Sequence, residues 1–104
     1  MHNDGNISIS YNDSEQYYSM NAHFSKSKTR EVEQYMDRMI GRGNNISFVN
    51  TQSDATFTLD DHSTFYMRKA PGHIKIKLDK YKNSEEAYQR IRSMCEGFKK
   101  VLAK

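Results

Sequence analysis

From His73 to Asp79 the chain reads HIKIKLD. Ile74, Ile76 and Leu78 fall on one side of an extended backbone and Lys75 and Lys77 on the other. That period of two belongs to a strand with one face on a core and the other toward solvent. The alternation recurs at 7–11 (ISISY) and at 17–24 (YYSMNAHF), where Tyr18, Met20, Ala22 and Phe24 share a row. The intervening NDSEQ is rich in turn formers, which predicts a hairpin. Short strands are also predicted at 45–49, 55–59 and 64–68, separated by the turn sequences TQSD and DDHS. Ala-Pro-Gly then makes a tight turn into 73–79, with Pro fixing φ and Gly permitting a positive one.

Two segments carry the helical period instead. Val32, Tyr35, Met36, Met39 and Ile40 form one apolar stripe at i, i+3, i+4, i+7 and i+8. Thr29 or Ser27 caps this helix in the sequence reading, Glu31 and Glu33 suit its first turn, and Gly41 and Gly43 end it. The last helix begins at Asn83 or Ser84; a cap at Asn83 would set Glu86 at the third helical position in a capping-box arrangement. Its stripe is Ala87, Ile91, Met94, Cys95, Phe98 and Leu102. Gly97 inside it costs about 1 kcal/mol relative to Ala, which points to a close backbone contact or a bend.

The sum is an α+β fold in the order β-β-α-β-β-β-β-α: an antiparallel sheet of five to six strands with both helices on one face. Residues 1–6 read as a flexible lead-in and 7–104 as a single domain, as a length of 104 residues favours. Hydrophobic residues are 36% of the chain, so the five Phe and seven Tyr are expected to supply much of the core. A faint internal repeat also shows, strand YSMNAHF with helix TREVEQYMDRM against strand HIKIKLD with helix SEEAYQRIRSM.

Charge sharpens the picture. Residues 1–52 hold five Lys/Arg against six Asp/Glu and residues 53–104 hold eleven against seven, and between Arg68 and Lys82 there are six cations and one anion. Clustered cations are what a polyanion needs, because each phosphate contact releases counterions. With one cysteine, Cys95, on a helix core stripe, no internal disulfide is possible, and a reducing compartment fits. No secretory leader or apolar run of membrane-spanning length is read in the sequence, so a cytoplasmic location away from membranes is expected.

If the apolar rows face inward, the outer sheet face is determined. It collects Ser8, Ser10, Tyr17, Ser19, Asn21, His23, Ser47, Val49, Thr56, Thr58, Tyr66, Arg68, Lys75 and Lys77, and the reading places no carboxylate on it. Hydroxyls, cations and aromatic rings on an open sheet suit single-stranded nucleic acid, where cations track the backbone and rings stack bases. Arg68, Lys69, Lys75 and Lys77 are the candidate phosphate contacts, Tyr17 and Tyr66 the stacking residues, His23 a phosphate donor, and Lys80 and Lys82 the rim.

The stretch KNSEEAYQRI, running from the last strand into the last helix, resembles the Lys-x-Ser-Glu-Glu entry to the long helix of the TATA-binding-protein (helix-grip-like) family. The order of elements over 17–103 is similar to one half of that fold. The resemblance implies a sheet face turned to nucleic acid, but Tyr and Lys stand where the family carries Phe wedges, so TATA recognition is not implied. In size and in Lys, Asn and Tyr usage the chain is also similar to small accessory proteins of tailed phages.

Catalytic signatures are missing from the sequence. DDHS at 60–63 reads as a turn rather than a metal site, His23 and His73 as single residues on separate strands, Cys95 as packing, and GRGNN follows a helix where a phosphate loop would open one. The expectation is a non-enzymatic protein without cofactor or metal whose partner is RNA or single-stranded DNA. The competing class is a protein–protein inhibitor or adaptor, such as a phage-type antagonist of a host nuclease, toxin or defence complex, docking the same face on an acidic protein.

Overall fold

A computed structural model describes residues 7–41 and 53–103. The predicted strand at 45–49, with Ser47 and Val49, as well as Gly43 and the 1–6 lead-in, lie outside the described residues. Strands β1 (Ser8–Asp13) and β2 (Tyr17–His23) are followed by helix α1 (Thr29–Met36), then β3 (Ser53–Thr58), β4 (Thr64–Ala70), β5 (His73–Asp79) and helix α2 (Glu85–Leu102). The fold is α+β, a five-stranded sheet in the order β1-β2-β5-β4-β3 with every neighbouring pair antiparallel. The most regular alternation in the sequence thus belongs to the central strand, β5.

Burial follows that alternation. Ile74, Ile76 and Leu78 of β5, Tyr18, Met20 and Ala22 of β2, and Phe65 and Met67 of β4 are buried beneath the helices. Ala87, Ile91, Met94, Cys95, Phe98 and Leu102 of α2 and Val32 and Met36 of α1 meet them from above. The largest fully buried side chains include Met20, Met36, Met67 and Met94 but only two phenylalanines, Phe65 and Phe98. Among the described residues Met and Ile share the core with the rings of Tyr18, Phe24, Phe65, Tyr88 and Phe98, and unbranched Met fills the irregular space between sheet and helices.

Several local devices differ from the sequence reading. Ser25 caps a 3-10 turn, Lys26–Lys28, that leads into α1, while Thr29 Oγ1 accepts a hydrogen bond from Gly72 N at 2.9 Å. Gly72 has φ +78, and a Cβ there would stand 2.9 Å from Phe24 O. The Pro71–Gly72 turn is therefore docked on the start of α1 and has room only for glycine. After Met36 the helix widens into a π turn, Asp37–Gly41. The extra residue per turn rotates Met39 out of the stripe, leaving it 42% exposed. Ser84 caps α2 by accepting from Ala87 N, and Asn83 instead ties α2 to β4, accepting from Thr64 N at 2.8 Å and donating to Thr64 O at 2.9 Å.

Gly97 meets the sequence expectation of a close contact. The Tyr35 ring of α1 crosses α2 there, and its hydroxyl donates to Met94 O at 2.8 Å. Below α1, Glu33 accepts a hydrogen bond from Lys69 Nζ at 2.5 Å, in a pair with side chains 6% and 2% exposed. Among the described residues no helix is long and apolar enough to cross a membrane.

Candidate nucleic-acid interface

Among the described residues nothing covers the sheet face opposite the helices, and strand pairing arranges its side chains in rows. One row across the sheet reads Ser10, Asn21, Lys75, Arg68, Asp54, and the next reads Asn12, Ser19, Lys77, Tyr66, Thr56. Tyr17 stands opposite Asp79 on one flank and His23 opposite His73 on the other. Rows lie two residues apart, about 7 Å along a strand, and neighbours within a row about 5 Å apart. Tyr17, His23, Tyr66, Arg68, Lys75 and Lys77 therefore share one continuous surface, as the alternation implied.

Its electrostatics are unbalanced. Lys75 and Arg68 are directly opposite each other on β5 and β4, a like-charge cross-strand pair that costs stability by itself. Neither they nor Lys77 form an ion pair among the described residues. Lys77 Nζ lies 4.2 Å from the centroid of the Tyr17 ring, a cation–π contact on an exposed face. Between Tyr17 and Tyr66 a cleft of about 290 Å³ opens over Lys77, with Thr56, Thr64 and Asp79 in its wall and Lys82 beside it.

Carboxylates do reach this face. β3 starts at Ser53, earlier than the sequence reading allowed, so Asp54 is within the strand opposite Arg68. Its Oδ1 accepts the Tyr66 hydroxyl at 2.6 Å, and that bond raises the phenol's pKa. Asp79 closes the other end of β5, where it accepts from Tyr81 N at 2.9 Å and caps the 3-10 turn Lys80–Lys82. The expectation of a face without acids is corrected accordingly: Asp54 faces Arg68 and Asp79 faces Tyr17, while among the described residues no ion pair engages Arg68, Lys75 or Lys77.

Two predicted contacts point elsewhere. Lys69 shares a row with Phe65 and Met67, is 3% exposed, and is spent on Glu33; it cannot touch a ligand on the opposite face. Lys80 is carried by the 3-10 turn toward the β1–β2 hairpin. There its ammonium donates to Asp13 Oδ1 at 2.5 Å and to Ser14 O at 2.7 Å, and lies 4.6 Å from the centroid of the Tyr88 ring. Bonds from Lys80 and then Tyr88 hold the Asp13 carboxyl below its usual range. Lys80 is a brace between hairpin and helix, and only Lys82 remains at the rim.

The histidines, separate in sequence, are paired in space. His23 ends β2 and His73 begins β5, and their rings stand 4.4 Å apart, tilted by 33°. His73 Nε2 donates to Asn21 Oδ1 at 2.7 Å. Burial, then the proximity of His23, Arg68 and Lys75, lowers the His73 pKa below its ordinary 6.5. Two segments of seven residues paired antiparallel over their full length must align the last residue of one with the first of the other; pairing of 17–23 with 73–79 was the missing signal.

Elsewhere the side chains read as structure. Asp61 of the DDHS turn accepts from Ser63 N and pairs with Arg90 at 2.5 Å, and burial pushes the Cys95 thiol up to about 12. Among the described residues no group of three or more His, Cys, Asp or Glu is placed to hold a metal ion. No protein-family model, no curated protein and no solved structure matches this chain, so the reading of the face rests on its own residues.

Proposed function

We propose that this protein binds nucleic acid, RNA or single-stranded DNA rather than duplex, across the open face of its sheet, as a binding protein rather than an enzyme. One observation carries the reading: Arg68 and Lys75 stand in register with Lys77 in the adjacent row, and among the described residues no ion pair engages any of the three, although Asp54 faces Arg68 from β3. Placing like charges opposite each other works against folding, and a phosphate backbone turns that cost into affinity. Tyr17 and Tyr66 flank the cations, where bases can stack on their rings. The sheet face, uncovered among the described residues, gives a strand with unpaired bases room to lie, whereas duplex DNA calls for an element that enters a groove.

The test is a binding isotherm for short RNA and DNA single strands as a function of salt. Four phosphate contacts, from Arg68, Lys75, Lys77 and Lys82, predict a log–log slope of roughly −3 for a single strand. Lys75→Glu with Lys77→Glu should halve that slope and weaken binding, with the fold checked by circular dichroism. Unchanged affinity in the folded double variant would refute the assignment of the face. Absence of any shift with RNA or single-stranded DNA at low salt would direct the same face to an acidic protein surface.

A further inference from the structure

We infer that His23, His73, Asn21, Lys75 and Arg68 form a subsite for one phosphate group of the bound strand, and that filling it brings a proton onto the histidine pair. The inference rests on the nucleic-acid reading above and adds a second chemistry to it. The five residues occupy two adjacent rows of β2, β5 and β4 on the same face. The imidazoles are packed at 4.4 Å, too close for both to carry charge beside Lys75 and Arg68 unless an anion joins them. Asn21 Oδ1 accepts a hydrogen bond from His73 Nε2, so the neutral ring carries its proton on Nε2 and Nδ1 is the nitrogen that takes up a second one. A doubly protonated ring donates from both nitrogens, so His73 can keep Asn21 and still offer a second N–H to a phosphate oxygen.

The surroundings of the pair favour an anion over a metal ion. Beside the His23 ring of β2, the charged groups near His73 are Arg68 of β4 and Lys75 of β5, both of which repel a cation. From β1 the residue aligned with His23 is Ser8, and from β4 the one aligned with His73 is Ala70. Burial and these neighbouring cations disfavour the protonated form of His73. A bound phosphate reverses the sign of the local potential, and each unit by which it raises the His73 pKa corresponds to about tenfold in affinity between the neutral and protonated forms.

The experiment uses the full chain and three single strands of one sequence, with hydroxyl ends, a 5′-phosphate or a 3′-phosphate, at pH 5.5 to 8 and fixed ionic strength. Internal phosphodiesters keep one charge over that range, so a slope with the hydroxyl-ended strand belongs to the protein. Affinity is expected to rise about tenfold from pH 7.5 to 5.5, and His23→Gln with His73→Gln should flatten the dependence while binding at pH 8 persists. An advantage for a phosphorylated end that vanishes in the same variant assigns the subsite to a strand terminus; equal behaviour of all three assigns it to the internal backbone.

NMR titration of the histidine ring protons gives an independent reading, with sulfate in place of chloride as a probe whose charge does not titrate in this range. The His73 pKa should move upward in sulfate, and His62 serves as the internal control. Strands that bind with no pH dependence, together with no sulfate shift at His73, overturn the subsite and leave the nucleic-acid reading standing. A sulfate shift without binding of any strand keeps an anion subsite but overturns its nucleic-acid occupant and the proposed function together.

Discussion

The crossing of Tyr35 over α2 permits a prediction whose sign depends on context. A Cβ built on Gly97 would lie 2.0 Å from Tyr35 Oη and 2.9 Å from Cζ, distances no relaxed contact reaches, so Gly97→Ala must push the ring away. The push breaks the bond to Met94 O, worth about 1 kcal/mol, and displaces the ring from its edge-on contact with Phe98 at 5.3 Å. Overpacking of this kind costs about 1–3 kcal/mol. Against that, alanine in a helix interior is favoured over glycine by about 1 kcal/mol. The net expectation is a loss of about 1–3 kcal/mol, or roughly 5–20 °C in Tm for a domain of this size. In a Tyr35→Ala background the obstacle is absent, and the same Gly97→Ala change should stabilise by about 1 kcal/mol. Chemical denaturation of the four proteins measures both arms. A neutral or stabilising Gly97→Ala in the parent chain, or an equal loss in both backgrounds, would refute the account of this crossing.

Removing Lys69 alone should cost about 3–5 kcal/mol, because Glu33 would be left charged and buried, whereas Glu33→Leu with Lys69→Met should recover most of the loss; urea denaturation of the three variants decides it. Tyr18 Oη is buried with no partner stronger than the Cys95 thiol among the described residues, so Tyr18→Phe should leave stability unchanged or slightly higher in the same assay. Tyr17→Ala and Tyr66→Ala should each weaken single-strand binding by about 1–3 kcal/mol; Tyr66→Phe, which keeps the ring and frees Asp54, should weaken it far less. Stability should follow pH through His73, whose folded pKa is lowered from 6.5: the neutral ring is favoured in the fold, so its contribution is full above 6.5 and is lost as pH falls below that value. Asp13 and Asp61, lowered from 3.8, lose theirs as pH falls below 3.8 toward their folded values. Thermal melts from pH 8 to 3 should therefore show two separate declines, and His73→Gln should remove the upper one only.

Much of this could be read from local pattern, and what could not depended on long-range pairing. The stripe of α2 and the rows of β2 and β5 are period arguments, and the structure buries the residues they select. Met39 escaped because a π turn changes the period inside a helix, which a fixed 3.6-residue template does not anticipate. Lys69 was misassigned as a ligand contact by composition, although its parity with Phe65 and Met67 already put it on the core row. What parity could not supply was Glu33, 36 residues away in the chain. Lys80 was lost to a single turn after the strand, and Asp54 to a strand boundary set two residues late. The histidine pair joins positions 50 residues apart, and only the register of β2 on β5 brings them together.

The central position of β5 has a consequence for how such a surface changes over time. Ile74, Ile76 and Leu78 hold the fold from one side of the strand, while Lys75 and Lys77 meet solvent on the other. Because successive residues never share an environment, a substitution at an odd-numbered position alters what the molecule touches and leaves its interior packing alone. The strand can therefore be rewritten letter by letter on its outer side. Selection for a new ligand would draw on variation at 73, 75 and 77 while 74, 76 and 78 stay fixed, and a library restricted to those outer positions should return mostly folded proteins with altered preferences.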